Sequence, residues 1–404
     1  MSTVELDDLL AAASVGGANC LTSVTELEPA AGRHASVAPA KFAARSSDKG
    51  VYAYESRYDD TGQSSDVVLI DSAQSQANRV EAALALEITE GHPILGRMPR
   101  VVVSYPADGE PVELSDIELP HRAFDGHVRA GTVGGEPVTK LEAYRKIRDA
   151  QQGNARALFD ASPASIVFGA WDSSRSARQG RWRRILTGEI IGFCEKPGDE
   201  PALKGGARVD PIGMRIELTG PDLKALADRQ RTELSRKTYE TLTKAAAAAR
   251  GDKRVPTSAA GLGGIPPSLE ALAGVACRRI VRSHVLSFAA LRQVRFGAGA
   301  EGDAACRALL AAIALAGLAR SDAELVLRAN CDLVEAGPTR VSLLGRGGQS
   351  TNFDPLDIAA ADELLAAALA HAETAADVDW RGVALRVDGD PAIAAAAADD
   401  EPQA

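Results

Sequence analysis

The pattern of hydrophobic and polar positions is clearest in the first quarter of the chain, where it predicts strand, helix, strand. Residues 66–70 (DVVLI) form a β-branched run that is typical of a buried strand. Residues 74–88 carry apolar side chains three and four positions apart, as on one face of a helix. Asp71 or Ser72 can cap this helix, because a side-chain oxygen accepts its free N–H groups. Residues 100–105 (RVVVSY) predict the next strand, and this order favours an α+β or α/β domain.

Weaker patterns predict the remaining elements. Further strands are expected at residues 21–27, 51–55, 165–171, 185–193, 277–286, 324–333 and 340–344. Further helices are expected at residues 1–15, 140–152, 221–250 and 304–318. Strands 165–171 and 185–193 are expected to pair around a polar loop. The sequence has no fixed-period repeat, which disfavours a solenoid.

The longest apolar stretch, residues 308–319, predicts a buried helix. It is too short to span a bilayer, and Arg307 and Arg320 flank it. The N-terminus opens with acidic residues and lacks the basic region and long apolar core of a secretory signal. We therefore expect a cytoplasmic protein with no membrane partner.

The cysteines give no sign of a metal site. There are five, at Cys20, Cys194, Cys277, Cys306 and Cys331. Their sequence contains no CxxC pair and no Cys/His cluster at ligand spacing, so neither a zinc site nor another cofactor is expected. A sparse, odd set also fits a reducing compartment better than a disulfide scaffold.

The formal net charge of −10 argues at first against a nucleic-acid partner, because surfaces that bind nucleic acid are usually basic. The whole excess lies in residues 354–404, which hold twelve acidic residues and only Arg381 and Arg386 as basic ones. We expect residues 1–353 to form one domain and residues 354–404 to form an acidic, Ala/Asp-rich C-terminal helix and tail. Since screening confines charge effects to roughly 10 Å at about 0.1 M salt, the acidic end does not exclude nucleic acid.

Two arginine-rich segments are candidate nucleic-acid surfaces. Residues 171–193 are expected to form a hairpin in which tryptophans interleave with Arg175, Arg178, Arg181 and Arg183. Arginine suits phosphates, and indole faces stack on bases. Residues 273–297 contain five arginines and no acid, and should attract a polyanion. Two alternatives stay open: a solvated hairpin with core tryptophans, and arginines paired with acids from elsewhere in the fold.

The start of helix 74–88 is the most informative stretch. DSAQSQANR (71–79) brings together Ser72, Gln74, Ser75, Gln76, Asn78 and Arg79. Polar side chains beside the free N–H groups of a helix start form a ready phosphate site. The alternative is a capped helix with Arg79 in a surface ion pair, and position alone does not decide.

A second polar group, PHRAFDGH at residues 120–127, could bind a metal or act as an acid/base set through His121, Asp125 and His127. Gly126 weakens any helix that would align them, and no nucleophile is visible. Loop residues or RNA-facing groups are therefore favoured. The sequence lacks a GxxxxGK[ST] phosphate loop, a GxSxG elbow and an HExxH pair, and GLGGIPP (261–267) is expected to be a loop or close-approach turn.

Five segments, in order along the chain, resemble one protein family. They are LIDSAQSQANRVEAAL (69–84), LPHRAFD (119–125), NARALFDASPASIVFGAWDS (154–173), RILTGEIIGF (184–193) and GLGGIPP (261–267). Together they are similar to the backbone RAMP subunit of type I-U (also called I-G) CRISPR effector complexes, the Csb-one or Cas-seven group. The resemblance covers about residues 20 to 345 and does not include the acidic C-terminal extension.

This resemblance implies an RRM-like (ferredoxin-like) α+β palm with inserted thumb and finger elements, the thumb within residues 111–155. It also implies that copies of the chain line up along one CRISPR RNA as the backbone of a Cascade-like antiviral surveillance complex. Large-subunit and end-capping proteins would be further partners, and the guide would pair with the target DNA strand. Contacts to the sugar–phosphate backbone would hold the guide, and base pairing would supply specificity.

From the motifs and this resemblance together we predict RNA contacts and no catalytic residue. The predicted contacts are Lys41, Arg45, Ser72, Gln74, Ser75, Gln76, Asn78, Arg79, His121, Arg122, Arg175, Arg178, Arg181 and Arg183. The alternative is a RAMP-type endoribonuclease that cleaves CRISPR or target RNA. His121 or His127, or a metal held by Asp71 or Asp125, would then carry the chemistry. A third possibility is a protein-only scaffold.

Overall fold

Strands and helices are mixed along the chain in the computed structural model, which describes residues 2–44, 47–106, 110–176, 180–195, 203–251 and 253–397. Arg45 and Arg178, two of the predicted RNA contacts, lie outside the described residues. The chain divides into two units by its internal contacts. The first unit comprises residues 1–196 and 275–390, and the second comprises residues 197–274 and 391–404.

The elements are numbered here in chain order. The strands are β1 (Cys20–Pro29), β2 (Lys41–Ala44), β3 (Ser47–Tyr52), β4 (Tyr54–Tyr58), β5 (Ser64–Asp71), β6 (Arg100–Tyr105), β7 (Val112–Ser115), β8 (Thr132–Val133), β9 (Glu136–Pro137), β10 (Ala170–Trp171), β11 (Arg181–Trp182), β12 (Leu186–Phe193), β13 (Leu203–Arg208), β14 (Glu217–Thr219), β15 (Arg254–Pro256), β16 (Ile265–Leu272), β17 (Arg279–Ser287), β18 (Leu333–Glu335), β19 (Arg340–Leu344), β20 (Ser350–Phe353) and β21 (Val383–Asp388). The helices are α1 (Leu6–Ala13), α2 (Ala73–Thr89), α3 (Gly126–Ala130), α4 (Glu142–Arg148), α5 (Arg156–Phe159), α6 (Pro163–Val167), α7 (Gly220–Arg229), α8 (Arg236–Ala248), α9 (Phe288–Leu291), α10 (Gly299–Ala323), α11 (Ile358–Ala376) and α12 (Pro391–Ala397).

The main sheet of the first unit is antiparallel throughout its described strands. Its order is β20-β19-β1-β17-β12-β5-β4, and β18 pairs with the end of β1. The register between β1 and β17 runs from Cys20 opposite Ser287 to Leu27 opposite Ile280. Every second residue of β1 is buried, because alternate side chains of a strand point to opposite faces.

Helices α2 and α10 belong to the core of this unit. In chain order, β1, α2, β12, β17, α10 and β19 give strand, helix, strand, strand, helix, strand, with β19 beside β1 and β12 beside β17. The predicted α+β class is confirmed, and the order is compatible with the predicted RRM-like (ferredoxin-like) palm. Helix α2 is one residue longer at each end than predicted, and its cap is Ser72, whose side chain accepts from the backbone N–H of Ser75.

Helix α10 is the predicted buried helix, extended to 25 residues. Its length and composition would allow it to cross a membrane, but 94% of its most apolar window is buried inside the fold. All residues from Gly302 to Ser321 are buried. A helix that is apolar on every side needs cover on every side, and α1, α2, α6 and α11 pack around it.

Close packing between α10 and α2 depends on Gly317. A Cβ atom at Gly317 would lie 2.6 Å from Val80 Cγ1 and 3.0 Å from Leu84 Cδ1. Real Cβ atoms do not approach other carbons so closely, so the two helices can lie at their present distance only where this position has no side chain.

Residues 354–390 belong to the first unit, whereas the sequence predicted a boundary at residue 354. Strand β21 is the middle strand of a second sheet, β7-β6-β21-β8-β9, and it pairs in parallel with β6. Helix α11 packs against α10 through residues that include Leu365 and Ala368, and Asp362 accepts from Arg320 Nη2 at 2.8 Å. The acidity of this segment misled the prediction, because Asp362 and Glu373 serve as partners for arginines of the first unit.

The second unit has its own small core. Helices α7 and α8 pack through Leu223, Ala227, Leu242 and Ala246, where one helix was predicted over residues 221–250. Strand pairs β13–β16 and β14–β15 complete the unit. The thumb was expected within residues 111–155, but those residues lie in the first unit, and the separately packed insertion lies between β12 and β17 in the chain.

Two predicted strands were wrong. Residues 163–167 form helix α6, which Pro163 begins, and only Ala170 and Trp171 extend as strand β10. Strand β12 therefore pairs with β17 and β5 rather than with residues 165–171. The strand expected at residues 324–333 is reduced to β18. The first error arose because periodicity alone does not separate short buried helices from strands, and residues 325–332 form a turn and irregular backbone instead of a strand.

The close approach of α10 to α2 gives the first testable prediction. Replacing Gly317 with Val should lower the free energy of unfolding by roughly 1–3 kcal/mol, because the added carbons would overfill the contact with Val80. Urea unfolding followed by circular dichroism measures this change. The control is Gly126→Ala, since nothing lies within 4 Å of a Cβ there. Equal stability of Gly317→Val and the wild type would contradict the proposed role of Gly317.

Candidate nucleic-acid interface

Asp71, at the end of β5, organises the start of α2 from inside the fold. Its side chain is completely buried, and Gln76 Nε2 donates to it at 2.6 Å. Arg79 Nε donates to the same oxygen at 3.0 Å. Arg328 Nη2 lies 2.5 Å from the other oxygen, and Arg328 Nη1 donates to the carbonyl of Ile70 at 2.6 Å. One carboxylate thus ties the end of a strand, the first two turns of a helix and a distant loop.

Two opposing effects set the pKa of Asp71. Burial raises the pKa, because a charge is poorly solvated inside the protein. Hydrogen bonds from Arg79 and Gln76 lower the pKa by more than burial raises it, so the pKa of Asp71 is below its ordinary value. The carboxylate is therefore ionised at neutral pH. It neutralises Arg79, whose side chain also donates to the carbonyl of Val326.

The residues predicted at this helix start separate into two groups. Gln76 is buried, and Arg79 forms an ion pair as in the capped-helix alternative, but with the buried carboxylate of Asp71 rather than at the surface. Gln74 and Asn78 are exposed, and Ser72 and Ser75 are half-buried. Gln74 and Asn78 are four residues apart, so they lie side by side on the outer face of the helix.

The segment that leads from β1 into β2 (residues 30–41), called here the early basic loop, meets this helix start. The backbone N–H of Ala40 donates to the carbonyl of Ile70 at 3.2 Å, two residues before the helix cap. Lys41, the next residue, is exposed at the beginning of β2. The structure therefore brings the predicted contact Lys41 close to the predicted contacts of α2, although about thirty residues separate them in the sequence.

Arg122 is buried inside the fold, so in this conformation its guanidinium is not exposed to a phosphate as predicted. Its Nε donates to Glu81 Oε1 at 2.5 Å and its Nη2 to Glu81 Oε2 at 2.6 Å. Its Nη1 donates to the carbonyl of Gly169 at 2.5 Å. Arg122 thus joins α2 to the segment before β10. His121 beside it is half-buried, and its RNA contact stays a prediction.

The arginine-rich segment presents a stacked pair. Trp171 lies opposite Arg181 in the two-stranded pairing of β10 with β11. The Arg181 guanidinium lies 4.7 Å from the centre of the Trp171 ring, and the ring side chain remains 43% exposed. Trp182 is buried in the core. One tryptophan is therefore in the core, as the alternative expected, whereas the other is at the surface, where its contact with nucleic acid stays a prediction.

The other arginines of this segment differ in their surroundings. Arg183 is exposed. Arg175 Nη2 donates to Asp149 Oδ1 at 2.7 Å, and Arg148 Nη2 donates to Asp149 Oδ2 at 3.1 Å. Hydrogen bonds from Arg148 and then from Arg175 hold the pKa of Asp149 below its ordinary value. Arg175 therefore belongs to a charge cluster in which its guanidinium and that of Arg148 share the carboxylate of Asp149.

The acid-free segment 273–297 is not a free basic strip. Arg279 Nη2 lies 2.6 Å from Glu26 Oε1. Arg282 is buried, with Nη1 3.2 Å from Asp322 Oδ1 and Nη2 2.9 Å from Glu335. The alternative of pairing with acids from elsewhere in the fold is correct for these two arginines. The sequence alone could not show these pairs, because the partners are far apart along the chain.

The residues of the endoribonuclease alternative make structural contacts. Asp125 caps α3 by accepting from the backbone N–H of His127 at 2.9 Å, and it also accepts from the N–H of His121 at 3.0 Å. The Tyr105 hydroxyl lies 2.6 Å from His127 Nδ1. Asp71 is occupied as described above. Each of these groups has a role in holding the fold.

Several residues of the site were not singled out from the sequence. They are Glu81, Arg148, Asp149 and Arg328. Glu81 carried a usable signal, since a glutamate at position 81 falls among the apolar residues of the α2 pattern and needs a buried partner. Arg328 carried none, because it is 257 residues away from the carboxylate that it contacts.

The anchor at Asp71 generates a pH-dependent prediction. Asp71→Asn should lower the free energy of unfolding at pH 7 by about 3–5 kcal/mol, because Arg79 and Arg328 lose their counter-charge. The folded pKa of Asp71 is depressed, so its stabilisation is full above the unfolded value of about 4 and is lost as the pH falls through the folded value. The difference between wild type and variant should therefore shrink toward pH 3.

Urea unfolding at pH 7 and pH 3 measures this difference. Asp379→Asn is the matched control, because Asp379 also accepts from an arginine, Arg381, but is exposed, and no loss is expected there. A difference for Asp71→Asn that is the same at both pH values would show that its charge is not what stabilises the fold.

One family comparison bears on this chain. Residues 21–195 match the family model described as CRISPR-associated protein GSU0053. The matched segment runs from β1 to the end of β12 and includes the start of α2, Arg122 and the Trp171–Arg181 pair. No curated protein matches the chain significantly. The match covers less than half of the chain, so the similarity to this CRISPR-associated family extends over residues 21–195.

Proposed function

We propose that this chain is a non-catalytic CRISPR RNA-binding subunit that assembles with copies of itself along the guide. Such an assembly would be the backbone of a type I-U (I-G) Cascade-like surveillance complex in the cytoplasm, with large-subunit and end-capping proteins as partners. The target DNA strand would be engaged through the guide. The CRISPR-associated family match and the α+β fold with its antiparallel sheet support this proposal.

The observation that carries the proposal is the convergence of the early basic loop and the start of α2. The hydrogen bond from Ala40 to Ile70 fixes Lys41 near a helix start whose Gln74 and Asn78 are exposed. This place lies inside the segment that matches the CRISPR-associated family. A cation beside amide side chains at a helix start is suited to a sugar–phosphate backbone.

The proposed mechanism is electrostatic and geometric. Lys41 would neutralise a phosphate, and the amides of Gln74 and Asn78 could donate to phosphate oxygens or exchange hydrogen bonds with ribose hydroxyls. Asp71, Gln76 and Arg79 would fix the helix start from below without touching the RNA. Such contacts hold any guide sequence, as a backbone subunit requires.

We propose further that residues 197–274 supply the thumb-like element. They form a unit with its own core, inserted in the chain between β12 and β17. The endoribonuclease alternative gains no support from the contacts of Asp71 and Asp125, which both hold the fold. The role as a non-enzymatic subunit therefore remains our proposal.

Purification with a guide RNA and partner subunits tests the function directly. We expect the chain to elute as a multimer that contains intact RNA, as a denaturing gel would show. A monomer free of RNA would contradict the proposal. RNA that is cut at a specific position by the wild type but not by His121→Ala would instead favour the endoribonuclease.

A second test measures the phosphate contacts. The double variant Lys41→Ala/Arg183→Ala should bind RNA more weakly, and the slope of log affinity against log salt should become shallower by about one unit for each lost contact. Both residues are exposed, so the fold should tolerate the change. Arg381→Ala, an exposed arginine of the C-terminal segment, is the control and should leave the slope unchanged. An unchanged slope for the double variant would exclude these two phosphate contacts.

A further inference from the structure

A groove of about 480 Å³ lies beside the Trp171–Arg181 pair in the first unit. One wall is the turn after α4 and the other is β11, and the lining includes Arg148, Gln151, Gln152, Gly153, Arg181 and Trp182. This volume is within the range of small-molecule sites in proteins, so the groove can hold a group of about the size of one nucleotide.

The charge of the groove favours an anion. Asp149 is the carboxylate in its lining, and it is shared by Arg148 and Arg175. Two guanidinium groups on one carboxylate leave a net positive charge of one. Arg181 adds a second positive charge at the opposite wall.

A flat aromatic surface, the Trp171 ring, lies next to this wall through its contact with the lining residue Arg181. The Arg181 guanidinium stacks 4.7 Å from the centre of the Trp171 ring. The ring is 43% exposed, whereas Trp182 is 6% exposed and Trp380 is 3% exposed. A surface indole on which a guanidinium is already stacked offers a planar platform, and nucleobases stack on both groups.

The turn that forms the facing wall is held in place. The backbones of Gln151 and Asn154 exchange hydrogen bonds of 3.3 and 2.8 Å. The Gln152 carbonyl accepts from the N–H of Arg295 at 2.7 Å, and the Arg295 carbonyl accepts from the N–H of Ala155 at 2.8 Å. The exposed amide side chains of Gln151 and Gln152 therefore project from a fixed backbone. Fixed donors and acceptors lower the ordering cost of binding a planar polar edge.

We propose that this groove binds one unpaired nucleotide of a single-stranded nucleic acid. The base stacks on the Trp171–Arg181 pair, its edge meets the amides of Gln151 and Gln152, and its phosphate lies toward Arg148 and Arg175. The inference rests on the proposed function, since it gives the RNA-binding subunit a place for a base that is not paired. A base inside a duplex is stacked on both sides and cannot use this platform.

Intrinsic fluorescence of the full chain tests the inference, because Trp171 is the exposed one of the three tryptophans. A single-stranded RNA of about a dozen nucleotides should quench the emission of the wild type, and the matching duplex should not. Trp171→Ala should weaken binding of the single strand roughly tenfold, and Trp171→Phe should retain most of the affinity. Because Trp171 carries no charge, the salt slope of Trp171→Ala should equal that of the wild type, whereas Arg181→Ala should make it shallower.

The outcomes separate this inference from the proposed function. If the wild type binds RNA but Trp171→Ala binds equally tightly, the groove is not a base site and the RNA-binding function stands. If the wild type binds no RNA, the proposed function is wrong, and the inference that rests on it is wrong as well. Equal affinity for duplex and single strand overturns the inference.

Single-stranded DNA of the same sequence is the last arm of the experiment. Tighter binding of RNA assigns the groove to the guide, and tighter binding of DNA assigns it to the target strand. A phosphorylated peptide that displaces the RNA from Trp171 would identify the groove as a protein site and overturn the inference.

Discussion

The structure of the first unit depends on the burial of helix α10 on all sides. Helices α1, α2, α6 and α11 contact it, and the residues from Gly302 to Ser321 are buried without exception. Its alanines and Gly317 allow the neighbouring helices to approach closely, so the arrangement of these helices follows from small side chains in one element. The burial of this helix also explains why residues 358–376 are not part of a separate tail, since they form α11, which supplies one of the covering faces.

Buried and half-buried arginines tie the elements around this core together. Arg122 joins α2 to the segment before β10, and Arg79 and Arg328 join α2 and a distant loop to the end of β5. Arg282 plays the same part within the main sheet. In each case a carboxylate supplies the counter-charge that a buried guanidinium requires, and backbone carbonyls also accept hydrogen bonds from Arg122, Arg79 and Arg328. The arginines left at the surface, such as Arg181 and Arg183, are therefore the ones available to a polyanion.

Much of the fold followed from the sequence, and the errors have physical causes. Residues 66–105 predicted β5, α2 and β6 closely, because each element has a clear period and α2 has a serine cap. The pattern could not show that β5 and β6 belong to different sheets, since pairing between strands leaves no trace in local periodicity. For the site, the residue types at 71–79 indicated that polar side chains gather at the start of α2, and they do. Which of its groups point outward depended on Asp71 and Arg328, whose contact is long-range.

The place of β21 has a consequence for how the protein is made. It is the last strand of the first unit, yet it lies in the middle of the second sheet, between β6 and β8. During synthesis, β6 emerges some 280 residues before its parallel partner, and one of its edges has no native strand to pair with until then. Unpaired strand edges invite wrong association, and pairing over such long sequence separations is slow. Completion of this sheet must therefore wait for nearly the whole chain, so the first unit matures late rather than domain by domain on the ribosome.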